Sequence, residues 1–279
     1  MEPVETMTLN DGVKIPMIGF GTYLLNGLAG AESIKNAVDL GYRLLDSAFN
    51  YENEGAVGEA ARRTSVPREE LVITSKLPGR HHRYQEALET VEESLFRAGL
   101  SYYDLYLIHW PNPKEDKYVE AWQALIEAQK RGLIRSIGVC NFLPEHLERL
   151  KKETGVLPSV NQIELHPYFN QADQLSWDQG HGIATESWKP LGRGTDLLRS
   201  EVIGAIAKAH GKTLSQAILR WHIQRGAIPI PKATSREHQR ENLDLFDFML
   251  SEKELAAIDG LTREAGRTRN QDPAVYQEF

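Results

Sequence analysis

Cysteine is almost absent: Cys140 is the only one in 279 residues. A lone thiol forms no intrachain disulfide, which excludes a disulfide-stapled fold and a Cys-rich metal site. Long apolar runs are missing too, and nothing approaches the roughly 18 residues needed to cross a bilayer. Positive charge is in deficit, with 32 Lys+Arg against 39 Asp+Glu, a net of −7, and no long basic run. General nucleic-acid binding is therefore not expected. The opening MEPVETM lacks the basic and apolar regions of a signal peptide, and no Asn-x-Ser/Thr acceptor occurs. The expectation is a cytoplasmic protein whose partners include neither membrane nor nucleic acid. No strand-like run leads into a G-x-G-x-x-G turn, and GFGTY (19–23) is too short to serve as one. No low-complexity linker or composition shift divides the chain, so 1–279 reads as one domain.

What is present is alternation. Short β-rich runs occur at 16–20, 42–46, 71–75, 104–108, 134–139, 159–163, 183–187 and 227–230, with amphipathic segments between them. YQEALETVEESLFRAG (84–99) places Leu88, Val91, Leu95 and Ala98 on one face, and Gly99 can end the helix. EAWQALIEAQKRG (120–132) turns Trp122, Leu125 and Ile126 inward, and PEHLERLKKETG (144–155) has the proline start and glycine stop of a helix. Further helices fit 30–41, 53–64, 170–181, 199–210, 213–225, 235–243 and 251–260. Eight strands each followed by a helix predict an α/β (β/α)8 TIM barrel, and LNDGV (9–13) predicts an N-terminal β-hairpin ahead of it.

Such a barrel carries its chemistry at the C-terminal ends of its strands. Those ends read Thr22-Tyr23, Asp46, Lys76, His109-Trp110, Asn141, Gln162, Trp188 and Lys232, with Tyr51 five residues past Asp46. Taken singly, each has an ordinary reading: Asp46 an N-cap, Lys76 a rim lysine, His109 a core histidine, Tyr51 a loop aromatic. Taken together they form a proton-transfer set. A phenol titrates near 10, and a neighbouring ammonium is expected to lower that value. Asp46 would hold Lys76 in place and charged, while His109 orients a substrate oxygen or relays a proton. The histidines lack paired spacing, so no metal is expected, and HHR (81–83) reads as a solvated loop. A glycosidase would need two opposed carboxylates; Asp46 and Glu164 are the strand-end candidates, and Asp46 has a better role beside Lys76.

Three segments, GYRLLDSAFNYENEGAVG (41–58), LIEAQKRGLIRSIGVCNF (125–142) and IPKATSREHQRENLDL (230–245), resemble the signature segments of the aldo-keto reductases. LYLIHWP (105–111) and VNQIELHPY (160–168) are similar to that family, and HGKTLSQAILRWH (210–222) to its bacterial branch. The resemblance implies a barrel, often monomeric, that reduces a small aldehyde or ketone with NADPH (NADP+), or with NADH. Tyr51 falls on the general acid, Lys76 and Asp46 on its activators, and His109 on the carbonyl-orienting residue. The implied cofactor-binding positions are Thr22, Asn141, Gln162, Trp188, Leu191, Lys232, Ala233, Thr234, His238, Glu241 and Asn242. The inferred pocket walls are Tyr23, Phe49 and Trp110 beside His109, and the tail GRTRNQDPAVYQEF is expected to help frame the pocket. A non-catalytic cofactor sensor or structural protein on the same barrel is the alternative.

Several positions depart from the family pattern. Pro78 stands where many relatives carry tryptophan, and Lys189 where a small hydroxyl residue is common; Lys189 and Arg193 read as rim charges. In IPIPKATSREHQREN (228–242), Lys232, Thr234 and Ser235 gather at a helix start, an anion-binding composition. Ala233 replaces a phosphate-binding hydroxyl and His238 a charged arginine. An imidazole gives up the bidentate fork, so a weakened NADPH preference is expected, with Arg236 or Arg240 offering partial compensation.

Overall fold

The turn predicted in LNDGV closes a hairpin. In the computed structural model, which describes residues 4–279, β1 (Thr6–Thr8) pairs antiparallel with β2 (Lys14–Pro16), Met7 opposite Ile15. Gly12 supplies the turn with φ +89, a conformation that disfavours a side chain. Asp11 at the turn accepts from Ser136 and Ser159, both at 2.7 Å, and Asn10 donates to the Pro158 carbonyl at 2.9 Å. These contacts place the hairpin across the start of two barrel strands, the end opposite the site. Residues 1–3 of MEPVETM lie outside the described part.

The eight remaining strands are β3 (Gly19–Gly21), β4 (Leu44–Asp46), β5 (Val72–Leu77), β6 (Tyr103–Ile108), β7 (Ile134–Cys140), β8 (Val160–Glu164), β9 (Ala184–Trp188) and β10 (Ala227–Pro229). They pair in parallel in chain order. The β6 strand is buried at every position, as a strand covered on both faces must be. The first and last strands meet through Gly21, whose N–H donates to Pro231 O at 3.0 Å. A Cβ on Gly19 would stand 2.5 Å from Ile230, and one on Gly21 3.3 Å from the Ile230 carbonyl. Glycine there lets the barrel come almost to closure. The sequence expected one strand at 16–20; instead Pro16 ends the hairpin, and the barrel begins at Gly19.

Among the described residues ten helices surround the strands: α1 (Gly27–Leu40), α2 (Glu54–Arg63), α3 (Tyr84–Ala98), α4 (Tyr118–Lys130), α5 (Pro144–Thr154), α6 (Ala172–Gly180), α7 (Glu201–Ala209), α8 (Leu214–Gln224), α9 (Arg236–Leu243) and α10 (Glu252–Asp259). On α3, Leu88, Val91, Leu95 and Ala98 are buried and Gly99 ends the helix at φ +62, as the periodicity predicts. Two helices, α7 and α8, lie between β9 and β10, and α10 follows α9. Beyond it, residues 260–279 run back across the strand ends.

Candidate active site

The β4 and β5 strands end side by side, so their last polar residues meet. Lys76 is fully buried; its Nζ lies 2.6 Å from Asp46 Oδ1 and donates to the Ser47 carbonyl at 2.6 Å. Burial by itself would depress the ammonium, but Asp46, with Tyr51 and Cys140 adding, outweighs it and keeps Lys76 above its ordinary value. Asp46 and Lys76 thus form a buried ion pair.

Tyr51 ends a short 3-10 turn, Phe49–Tyr51, and Lys76 Nζ lies 4.9 Å from its ring centroid. The Tyr51 and His109 rings stand edge to face at 5.9 Å, and Tyr23 packs against Tyr51 at 5.0 Å. One expectation is corrected here. The Tyr51 phenol is raised above its ordinary value, because burial outweighs the nearby Lys76 ammonium and Asp46 adds to the burial effect. The resting hydroxyl is therefore firmly protonated, and Lys76 acts as the counter-charge that opposes the penalty of its ionisation.

Around this group the other strand ends interlock. Thr22 donates to the Asp46 carbonyl at 2.8 Å, and Asn53 donates back to the Thr22 carbonyl at 2.6 Å. Asn141, held at φ +62, donates to the His109 carbonyl at 3.1 Å and accepts from Trp188 Nε1 at 2.8 Å. Gln162 Nε2 donates to Asp46 Oδ1 at 2.9 Å and to Glu186 Oε2 at 2.7 Å. Both hydrogens of that amide are thus spoken for, which leaves its carbonyl oxygen as the group able to accept from a ligand. Glu186 is fully buried, and its carboxyl is pushed up to about 7 by burial and by Asp46, against Gln162 and Lys76. Sequence reading missed it. The available signal was strand alternation: Glu186 lies two residues before Trp188, on the same face of β9.

Trp110 is buried against Trp188 at 6.4 Å and against Tyr276 of the tail at 4.4 Å, so the tail does reach the pocket. Phe49 lies under the Arg97 guanidinium at 3.9 Å and edge-on to His81 at 5.5 Å. The solvated loop expected at HHR is not found. His82 is buried, and burial, followed by His81, lowers it to about 4 although Glu278 opposes them. Lys189 is no free rim charge either: it donates to Thr268 Oγ1 of the tail at 2.6 Å. Thr268 in turn bonds Glu164 through both its hydroxyl and its N–H. Glu164 is thereby a tail anchor rather than half of an opposed carboxylate pair.

The anion-binding stretch forms at the start of α9. Ser235 caps the helix, accepting the His238 N–H at 3.2 Å, with Thr234 exposed beside it. Lys232 is half-buried, and burial together with Arg193 lowers its ammonium. Ala233 is buried, and its carbonyl accepts from Gln239 at 3.2 Å. An open groove of about 600 Å³ runs beside the helix, lined by Gln216, Arg236, Glu237, Arg240, Glu241 and Asp244. Arg236 and Arg240 are one turn apart and share this groove, which His238 does not line. Glu241 accepts from Thr213 at 2.6 Å, while Asn242 is buried and Leu191 half-buried. An amide acceptor and an indole face at the strand ends and a helix start at α9 fit the two ends of a dinucleotide, while the two arginines share their groove with Glu237, Glu241 and Asp244.

Comparison with known proteins agrees. The model of the Aldo/keto reductase family matches residues 17–263. The chain is 48% identical to 2,5-diketo-D-gluconic acid reductase B of a Corynebacterium species, covering all of both chains. It is 44% identical to methylglyoxal reductase DkgA of Escherichia coli, covering 96% of each. Among solved structures, a Gox0644 mutant in complex with NADPH superposes with a TM-score of 0.94 at 42% identity, covering 99% of this chain and 100% of that one.

Proposed function

The chain belongs to the aldo/keto reductase family and reduces carbonyl compounds with NADPH, and from that premise we propose that Tyr51 is its proton donor, activated by Lys76 and Asp46, with His109 orienting the carbonyl. The observation that carries this reading is the buried ammonium of Lys76, 2.6 Å from Asp46 and 4.9 Å from the Tyr51 ring centroid. When bound, the dinucleotide supplies the hydride to the carbonyl carbon. The chain's residues do the rest. Tyr51 gives its proton to the carbonyl oxygen, and the charge left on the phenol is met by Lys76, already in place and already paired. His109, edge-on to Tyr51, bonds the same oxygen and fixes its angle. Trp188 and the amides of Asn141 and Gln162 would hold the nicotinamide end, with Thr22 and Leu191 beside it. Lys232, Ala233, Thr234, His238, Glu241 and Asn242 would hold the adenosine end.

The substrate class is a small aldehyde or ketone. Tyr23 and Trp110 beside His109 supply an aromatic mouth suited to such a compound. The named activities of the relatives, on diketogluconate and on methylglyoxal, support it. The reading extends to a single barrel domain over 1–279 that works as a cytoplasmic monomer. The proposed catalytic groups are complete within one chain and need no second copy to assemble them.

The test is Tyr51→Phe, assayed with methylglyoxal and NADPH. Turnover should fall by about 10²–10⁴, while NADPH binding followed by fluorescence persists. Undiminished turnover would remove Tyr51 from its role.

A further inference from the structure

Glu278, the penultimate residue, sits in a receptacle built by three loops. Its Oε2 accepts the Gly79 N–H at 2.9 Å, and its Oε1 accepts from Asn50 Nδ2 at 2.8 Å. Its main chain pairs with the Asn112 side chain in both directions, N–H to Oδ1 at 2.9 Å and carbonyl from Nδ2 at 2.8 Å. Glycine at 79 is what admits it: a Cβ there would collide with the Asn112 amide and stand 2.8 Å from the Glu278 carbonyl. His109 Nδ1, sealed from solvent, lies 2.7 Å from the same Oε1. The approach is off the line of a good hydrogen bond, so the contact is an electrostatic one between the carboxylate and the near edge of the ring. Burial raises the Glu278 carboxyl, but His109, the Gly79 N–H and Asn50 together hold it below its ordinary value.

A carboxylate offers only lone pairs. A bare Nδ1 lone pair facing it at this distance would be repelled, so the ring proton belongs on Nδ1. That leaves Nε2 turned to the substrate, where it bears a lone pair in the neutral ring and donates to a carbonyl oxygen only when the ring carries both protons. We propose that Glu278 is a positioning residue for His109: its carboxylate, seated by Gly79, Asn50 and Asn112, holds the imidazole in one orientation with Nδ1 protonated, so that Nε2 meets the substrate. When both nitrogens carry protons, the carboxylate balances the ring's charge and Nε2 donates to a carbonyl oxygen. The tail thereby becomes part of the catalytic apparatus, and the site is complete only with Glu278 seated. This rests on the carbonyl-orienting role given to His109 above.

The experiment uses the full chain as wild type, Glu278→Ala, Glu278→Gln and His109→Gln. It measures kcat and KM for methylglyoxal, NADPH affinity by fluorescence, and the ring ¹⁵N shifts of His109. In Glu278→Ala, kcat should fall roughly tenfold to a hundredfold, a share of an acid–base contribution of about 10²–10⁴. NADPH affinity should hold, and the Nδ1 shift should move away from the protonated position. Glu278→Gln keeps an oxygen acceptor and should recover part of both losses. Glu278→Ala with wild-type kcat and wild-type shifts overturns the inference, as does a fall in kcat with unmoved shifts, which would mean a mere latch. Turnover kept in His109→Gln would instead remove the role of His109, and this inference with it.

Discussion

Lys76 Nζ and Asp46 Oδ1 lie 2.6 Å apart at a point where the lysine has no solvent exposure. Such a pair is costly to break by halves, because the survivor is left as an uncompensated buried charge. Asp46→Asn should therefore destabilise the protein by about 3–5 kcal/mol, read from urea unfolding, and should abolish reduction. The double variant Asp46→Asn/Lys76→Met removes both charges. It should regain part of the stability and none of the activity, separating the structural role of the pair from the chemical one.

Glu186 gives a pH signature. Its carboxyl is pushed up to about 7 in the fold, from an ordinary glutamate value near 4.5. Between those two values the folded state binds more protons than the unfolded one, so stability falls as pH rises through the window. Melting temperature should decline from about pH 4.5 to 7 more steeply in the wild type than in Glu186→Gln. Parallel curves for the two proteins would refute the assignment.

The first part of the tail should be loosened by the loss of one hydroxyl. Thr268 accepts from Lys189 at 2.6 Å and donates to Glu164, whose other oxygen is buried without a partner. Thr268→Val keeps the shape and the N–H bond to Glu164 but removes both hydroxyl bonds, at a cost of about 1–3 kcal/mol for the buried group left unsatisfied. Limited proteolysis should cut the variant first within residues 260–279. Wild-type protease resistance would show that the anchor lies elsewhere.

Cofactor choice turns on α9. Arg236 and Arg240 line the groove, but His238 brings no permanent charge to the helix start. The preference for NADPH over NADH should stay below about a thousandfold, or roughly 4 kcal/mol. His238→Arg should raise it, by about tenfold for a contact of 1.4 kcal/mol, seen in the ratio of kcat/KM values. A wild-type preference beyond a thousandfold would mean that the two arginines compensate in full.

The sequence by itself determined the barrel and brought together the residues proposed as its reacting centre. Period-2 and period-3.6 patterns are local, so the strands and helices were legible, and in a barrel the end of each strand is where chemistry gathers. Asp46, Lys76, Tyr51 and His109 could thus be named together before any coordinates. What only the tertiary structure decided are relations across long chain separations. Burial of Tyr51 reverses the expected direction of its titration, because the depth of a pocket is not written in any segment. Glu186 joins the site because barrel curvature brings β9 within reach of Gln162 and Asp46. His82 and Lys189 looked solvated from their neighbours in sequence, yet packing buries the first and the tail holds the second. Glu278 reaches Gly79 from 199 residues away. No periodicity announces such a meeting; it follows from where the folded chain happens to leave room, at a glycine beside an asparagine, for a carboxylate to come down on His109.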